Sequence, residues 1–161
     1  MKLATLYETQ KYVDEVIQAK TMIDINAVEN VDKRVHAFKV ELAEFSNEIG
    51  WFKYWKQSHV MDKAKTIEEF ADCMAFLLSV GISRNYHTFI KNISPNMWSE
   101  SPLDHLFLYL FENRIDSSGH WMNAFEQLIC IGWKLGFKTD EMVSAYIKKS
   151  EKNILRQKEG Y

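Results

Sequence analysis

Glu41, Glu44 and Glu48 stand at i, i+3 and i+7 of one segment. On a helix turning about 100° per residue they occupy an arc of roughly 60°. That arc adjoins the apolar stripe of Phe38, Phe45 and Ile49 rather than lying opposite it. Further along, Glu69 and Asp72 repeat the i, i+3 spacing, and Phe76 continues their face as apolar. Acidic residues in line with a core stripe are partly desolvated, and like charges a few ångströms apart repel. Such a cluster needs either a cation or raised pKa values. Two antiparallel helices presenting these pairs inward would converge four or five carboxylates on one spot. Carboxylate oxygens suit Mg²⁺, with Mn²⁺ as the alternative, and a set without His or Cys does not suit zinc. A plainer reading stays open at this point. Glu-x-x-Glu is common on solvated helix faces, and Glu69 also fits the N3 position of a capping box begun by Thr66. Glu8, Glu15, Glu29, Glu68 and Asp62 read as surface charges.

A second set lies near the C-terminus, where Lys149, Asn153 and Arg156 fall at i, i+4 and i+7. A Lys, an amide and an Arg in a row are donors for a polyphosphate, the Arg able to hold two oxygens at once. The alternative is a solvated tail whose cations favour a helix C-terminus. Carboxylates for a metal and a row of phosphate donors together describe metal-assisted hydrolysis of a nucleotide polyphosphate. The segment Trp51-Phe52-Lys53-Tyr54-Trp55 offers rings to stack on a base, or apolar surface to the core. His36, His59, His87, His105 and His120 are scattered and take no role.

The elements that must position these groups are helices. Apolar residues recur at helical spacing over 3–20, and Val31, Val35, Phe38, Leu42, Phe45 and Ile49 step by three and four up to a stop at Gly50. A nearly all-apolar, hence central, helix is expected from Thr66 to about Tyr86. Residues 91–101 read as a loop. Pro102–Glu112, Ser117–Leu135 and Thr139–Gln157 read as three more helices. The expectation is an all-α bundle of about six helices in one domain, 1–161.

Composition agrees. Hydrophobic residues are 47% and charged residues 26% of 161, which excludes disordered and fibrous classes. Only 6 Gly and 2 Pro punctuate the chain, too few for an all-β fold of this length. Twenty Lys and Arg against 22 Asp and Glu give a net charge of −2, so no basic field draws nucleic acid or anionic lipid. No apolar run is long enough to cross a bilayer, and the start MKLATLYETQ turns polar too soon for a secretory signal. Cys73 and Cys130 lack metal or redox spacing and read as buried thiols of a reducing compartment, so a cytoplasmic location is expected. The 10 Phe, 7 Tyr and 5 Trp imply a thick core or a large apolar interface such as a homodimer's.

Several motifs in order carry a family likeness. They are Gln10-x-x-x-Asp14, then Glu41-Leu42-Ala43-Glu44 through Asn47-Glu48 to Phe52-Lys53-x-Trp55, then Glu68-Glu69-x-x-Asp72-x-x-x-Phe76-x-Leu78-Ser79-x-Gly81. The ending runs Ala145-Tyr146-x-Lys148-Lys149-x-x-x-Asn153-x-x-Arg156-Gln157-x-x-Gly160-Tyr161. Together they resemble the all-α dimeric dUTPases of the MazG-like nucleoside triphosphate pyrophosphohydrolase superfamily. The resemblance implies hydrolysis of dUTP, and of dUDP, to dUMP. It implies Mg²⁺ ligands at Glu41, Glu44, Glu69 and Asp72 with Glu48 as a further one, and Glu44 as the catalytic residue orienting the attacking water. It places Lys149, Asn153, Arg156 and Tyr161 on the phosphates, and Gln10, Asp14, Lys53 and Trp55 in the nucleoside pocket. Residues 88–118 match no motif and are expected to be a variable insert or lid. A phage-encoded member would also be a target for a repressor protein. The alternatives are a pyrophosphohydrolase for another dNTP and a non-catalytic helical interaction protein.

Overall fold

A computed structural model describes residues 1–160. Six α-helices carry the chain: α1 (Ala4–Thr21), α2 (Val28–Ile49), α3 (Lys63–Ser83), α4 (Leu103–Glu112), α5 (Ser118–Lys134) and α6 (Thr139–Glu159). Two short 3-10 turns, Tyr86–Thr88 and Pro95–Trp98, lie between α3 and α4. Among the described residues there is no strand, only an isolated bridge between Lys2 and Asn92.

The central helix is α3, which packs against α1, α2, α5 and α6. Phe70, Ala71, Cys73, Met74, Leu77, Leu78 and Val80 are all fully buried along it. A helix apolar nearly all round is stable only when neighbours enclose it. Gly81 sets the approach of α5, since a Cβ there would stand 2.7 Å from the Trp121 ring. The Trp121 indole in turn donates to the Leu77 carbonyl at 2.6 Å, so its buried N–H is satisfied.

The helix begins earlier than expected. Its cap is Asp62, whose carboxylate accepts from the Ala64 and Lys65 amides at 3.0 and 3.2 Å. Asp62 is therefore a cap rather than an idle surface charge, and Thr66 lies inside the first turn with its hydroxyl donating to the Asp62 carbonyl. Glu69 is then not at N3 and has no capping role, which removes the plainer reading of that residue. Helix α2 stops where expected, Gly50 taking φ 68° as the left-handed cap.

Residues 88–118 supply Ile93, Leu106, Phe107, Leu110 and Ile115 to the same core as the rest of the chain. Lys39 of α2 ties that segment down, its ammonium donating to the carbonyls of Leu110, Phe111 (3.1 Å) and Asn113 (2.8 Å) at the end of α4. Among the described residues no helix is long and apolar enough to cross a membrane.

Candidate active site

Because α3 packs on α2 along one side and α6 along another, the acidic faces of α2 and α3 meet the cationic face of α6. Between them lies a pocket of about 460 Å³ whose lining includes Glu41, Glu44, Glu69, Asp72, Lys149, Asn153 and Arg156. That volume is in the usual range for small-molecule sites. Carboxylate oxygens of Glu41, Glu69 and Asp72 all lie within 4.8 Å of one another. Helical geometry explains the convergence: residues three apart on α3 meet one residue of α2 directly opposite.

The electrostatics are those of a crowded, half-buried acid cluster. Burial, reinforced by Asp72, Glu44 and Glu69, pushes Glu41 up to about 7, with Lys149 opposing. Burial and the charges of Asp72 and Glu44 raise Glu69 as well. Asp72 is raised by burial, against its hydrogen bond from Lys149. The Lys149 ammonium sits 2.5 Å from Asp72 and 3.1 Å from Glu68, and Lys152 lies 2.8 Å from Glu68. Burial alone would lower Lys149, but Asp72 and Glu68 outweigh it and raise its pKa. The hydrogen bonds from Lys152 and Lys149 hold Glu68 at about 2.

At the opposite end lie Gln10, Arg34, Phe76 and Ser79. Gln10 donates to Asp14 at 2.8 Å, and Asp14 also accepts from the Ser79 hydroxyl at 2.8 Å. Burial raises Asp14, while those two hydrogen bonds and the Arg34 charge pull it down.

Not every expected residue is gathered here. Glu48 is not among the pocket's lining residues. It lies seven residues beyond Glu41, about 10 Å further along α2 at 1.5 Å per residue. Lys53 and Trp55 stand on the turn after α2, away from the lining. The Lys53 ammonium donates to the Asn47 carbonyl at 2.7 Å, and Trp55 is 62% exposed against Phe52 and Tyr54. Asp14 sits behind Gln10 rather than in the lining, and Tyr161 lies outside the described residues. Arg34 was in no motif, and Ser79 stood in one without a role of its own. Each stands seven residues from a cluster carboxylate, Arg34 before Glu41 and Ser79 after Asp72, so the signal was a shared helix face.

A family model described as dUTPase matches residues 2–161. The chain belongs to the dUTPase family. A search of curated proteins finds no match. Membership over the whole chain makes this all-α dUTPase a dUTP diphosphatase, an enzyme that hydrolyses dUTP. Members of the family are generally metal-dependent, and the acidic cluster is where such dependence would reside.

Proposed function

We propose that the dUTPase converts dUTP and water to dUMP and pyrophosphate, and dUDP and water to dUMP and phosphate, with Mg²⁺ held by Glu41, Glu44, Glu69 and Asp72. The observation that carries this is the trio of α2 and α3 carboxylates facing the Lys149, Asn153 and Arg156 row across one pocket. The donor set fits the ion. It is all oxygen, and its crowded charge already recruits the Lys149 ammonium as a partner. Bound there, a divalent cation supplies Lewis-acid polarisation of the phosphates and a more acidic water.

The chain's own groups do the rest. Glu44 orients the attacking water and takes its proton. Lys149, Asn153 and Arg156 donate to the phosphate oxygens, which sets an in-line approach and stabilises charge on the leaving group. The end lined by Gln10, Val13, Ile17 and Phe76 receives the nucleoside. Mn²⁺ is expected to substitute for Mg²⁺, and Glu48, off the pocket, to be dispensable as a ligand.

The chain acts as a homodimer in this reading, supported by aromatic surface left exposed, with Tyr54 at 92% and Trp55 at 62%. Binding of a repressor rests on the resemblance alone, and co-elution of the two proteins tests it. The deciding assay is product analysis from dUTP, dUDP, dTTP, dCTP and UTP with and without Mg²⁺. Magnesium-dependent turnover confined to dUTP and dUDP is the expected result. Turnover of a different dNTP keeps the metal cluster and overturns the base assignment, and no turnover at all favours a binding protein.

A further inference from the structure

The nucleoside end of the pocket is backed by a hydrogen-bonded chain that hydrolysis itself does not use. It starts at Arg34, half-buried between α2 and α3. Its Nε donates to the Asn30 carbonyl at 3.3 Å. One terminal nitrogen donates to the Ser79 hydroxyl and to the Ser79 carbonyl (3.4 Å), and the other to the Ile25 carbonyl and to the Ser83 hydroxyl (2.9 Å). A guanidinium has five N–H donors, and all three of its nitrogens bond to protein oxygens. Arg34 is thus a clamp whose three nitrogens are tied to the protein.

The clamp fixes the direction of every bond after it. Ser79 accepts from Arg34, so its single proton points to Asp14 Oδ2 at 2.8 Å. Asp14 Oδ1 accepts from Gln10 Nε2 at 2.8 Å. On the other side the fully buried Tyr146 hydroxyl has two acceptors in reach, Gln10 Oε1 at 2.9 Å and the Leu6 carbonyl at 3.3 Å, and gives its proton to the nearer Gln10 oxygen. A primary amide has two N–H groups and two carbonyl lone pairs. One of each is engaged inside the protein, which leaves one N–H and one lone pair of this buried amide, 4% exposed, for a ligand in the pocket it lines.

We propose that Arg34, Ser79, Asp14 and Tyr146 are positioning residues that hold the Gln10 amide in one orientation, so that the pocket selects a base edge with an N–H beside a carbonyl, as in uracil, over one with a ring nitrogen beside an amino group, as in cytosine. This rests on the dUTP reading of the site. A free amide could rotate by 180° and match cytosine equally well. Here rotation would set Gln10 Oε1 against the Asp14 carboxylate, two acceptors face to face, with Asp14 unable to turn away because Ser79 and Arg34 hold it. Asp14 touches no ligand in this arrangement and acts only through Gln10.

Asp14→Asn reverses the logic. Ser79 still donates to the side-chain oxygen, so the new amide nitrogen faces Gln10 and asks for Oε1. The test is the ratio of kcat/KM for dUTP over dCTP, with binding of dUMP and dCMP measured by calorimetry as a readout free of turnover. Asp14→Asn is expected to lower both ratios at least about tenfold, the factor that one mismatched hydrogen bond of ordinary strength supplies. Tyr146→Phe and Ser79→Ala shift them the same way by less, and decide the matter if Asp14→Asn fails to fold. A merely structural role lowers both substrates together and leaves the ratios in place. Retention of the wild-type ratios in the folded variants overturns the orientation lock. Wild-type protein that prefers neither base overturns the dUTP reading beneath it.

Discussion

Glu44 alone among the four pocket carboxylates is exposed, while Glu41, Glu69 and Asp72 are half-buried. A solvated carboxylate at the mouth of a charged pocket suits the handling of water, and its removal costs the fold nothing in packing. Glu44→Gln is expected to lower kcat at least about 100-fold, the low end for loss of a general base, with an unchanged circular dichroism spectrum and no loss of melting temperature. Near wild-type kcat would remove Glu44 from the mechanism. Glu41 makes a different prediction. Its carboxyl rises from 4.5 to about 7 on folding, chiefly through burial and then through Asp72, Glu44 and Glu69. The folded state therefore holds this proton more tightly than the unfolded chain does. The contribution to stability is full below pH 4.5 and is lost as pH rises through about 7. In chelator, the melting temperature should fall across that window. Glu41→Gln should flatten the slope, and saturating Mg²⁺ should cancel it. A slope unaffected by the substitution would show that Glu41 titrates normally.

Helix α3 shows what spacing can and cannot reveal. Its apolar run and its Glu69 and Asp72 pair were legible, because burial and the i, i+3 rule act within one helix. Its start was not. Thr66 and Glu69 match a capping box, but Asp62 captures the first free amides one turn sooner and draws Thr66 into the core. Arg34 and Ser79 carried no assigned role for another reason. A cation and a hydroxyl on a helix face acquire meaning only when α1 brings Asp14 alongside, and that is a tertiary fact. Glu48 shows the converse, a residue on the right face whose position along the axis takes it past the pocket. The α3–α5 contact yields a stability prediction. With Trp121 held by the Leu77 carbonyl, a methyl group at Gly81 would meet the ring at 2.7 Å. Gly81→Ala should destabilise by about 1–3 kcal/mol, as overpacked cores do, in urea unfolding. A neutral substitution would mean that α5 shifts freely.

The molecule closes as a single core because 88–118 is built into it rather than draped over it. Leu106, Phe107 and Leu110 are fully buried, and none of 88–118 lines the pocket. Sequence alone read this stretch as an insert, since a short amphipathic α4 between loops does not announce which surface it covers. What the fold leaves outside is also informative, with Tyr54 and Trp55 exposed on one turn. Sedimentation should give about twice 19.0 kDa, and a purely monomeric species at micromolar concentration would overturn the homodimer. The ion pair between Lys149 and Asp72 has a consequence for the whole binding equilibrium. In the proposed function the ammonium that neutralises the acid cluster is also a phosphate donor, so a nucleotide that drew Lys149 away would uncover the carboxylates proposed to hold the cation. Each ligand then prepares the ground for the other, and linkage makes the effect equal in both directions. The enzyme should take up metal and nucleotide as cooperative partners, so that either one, titrated alone, underestimates the affinity the two achieve together.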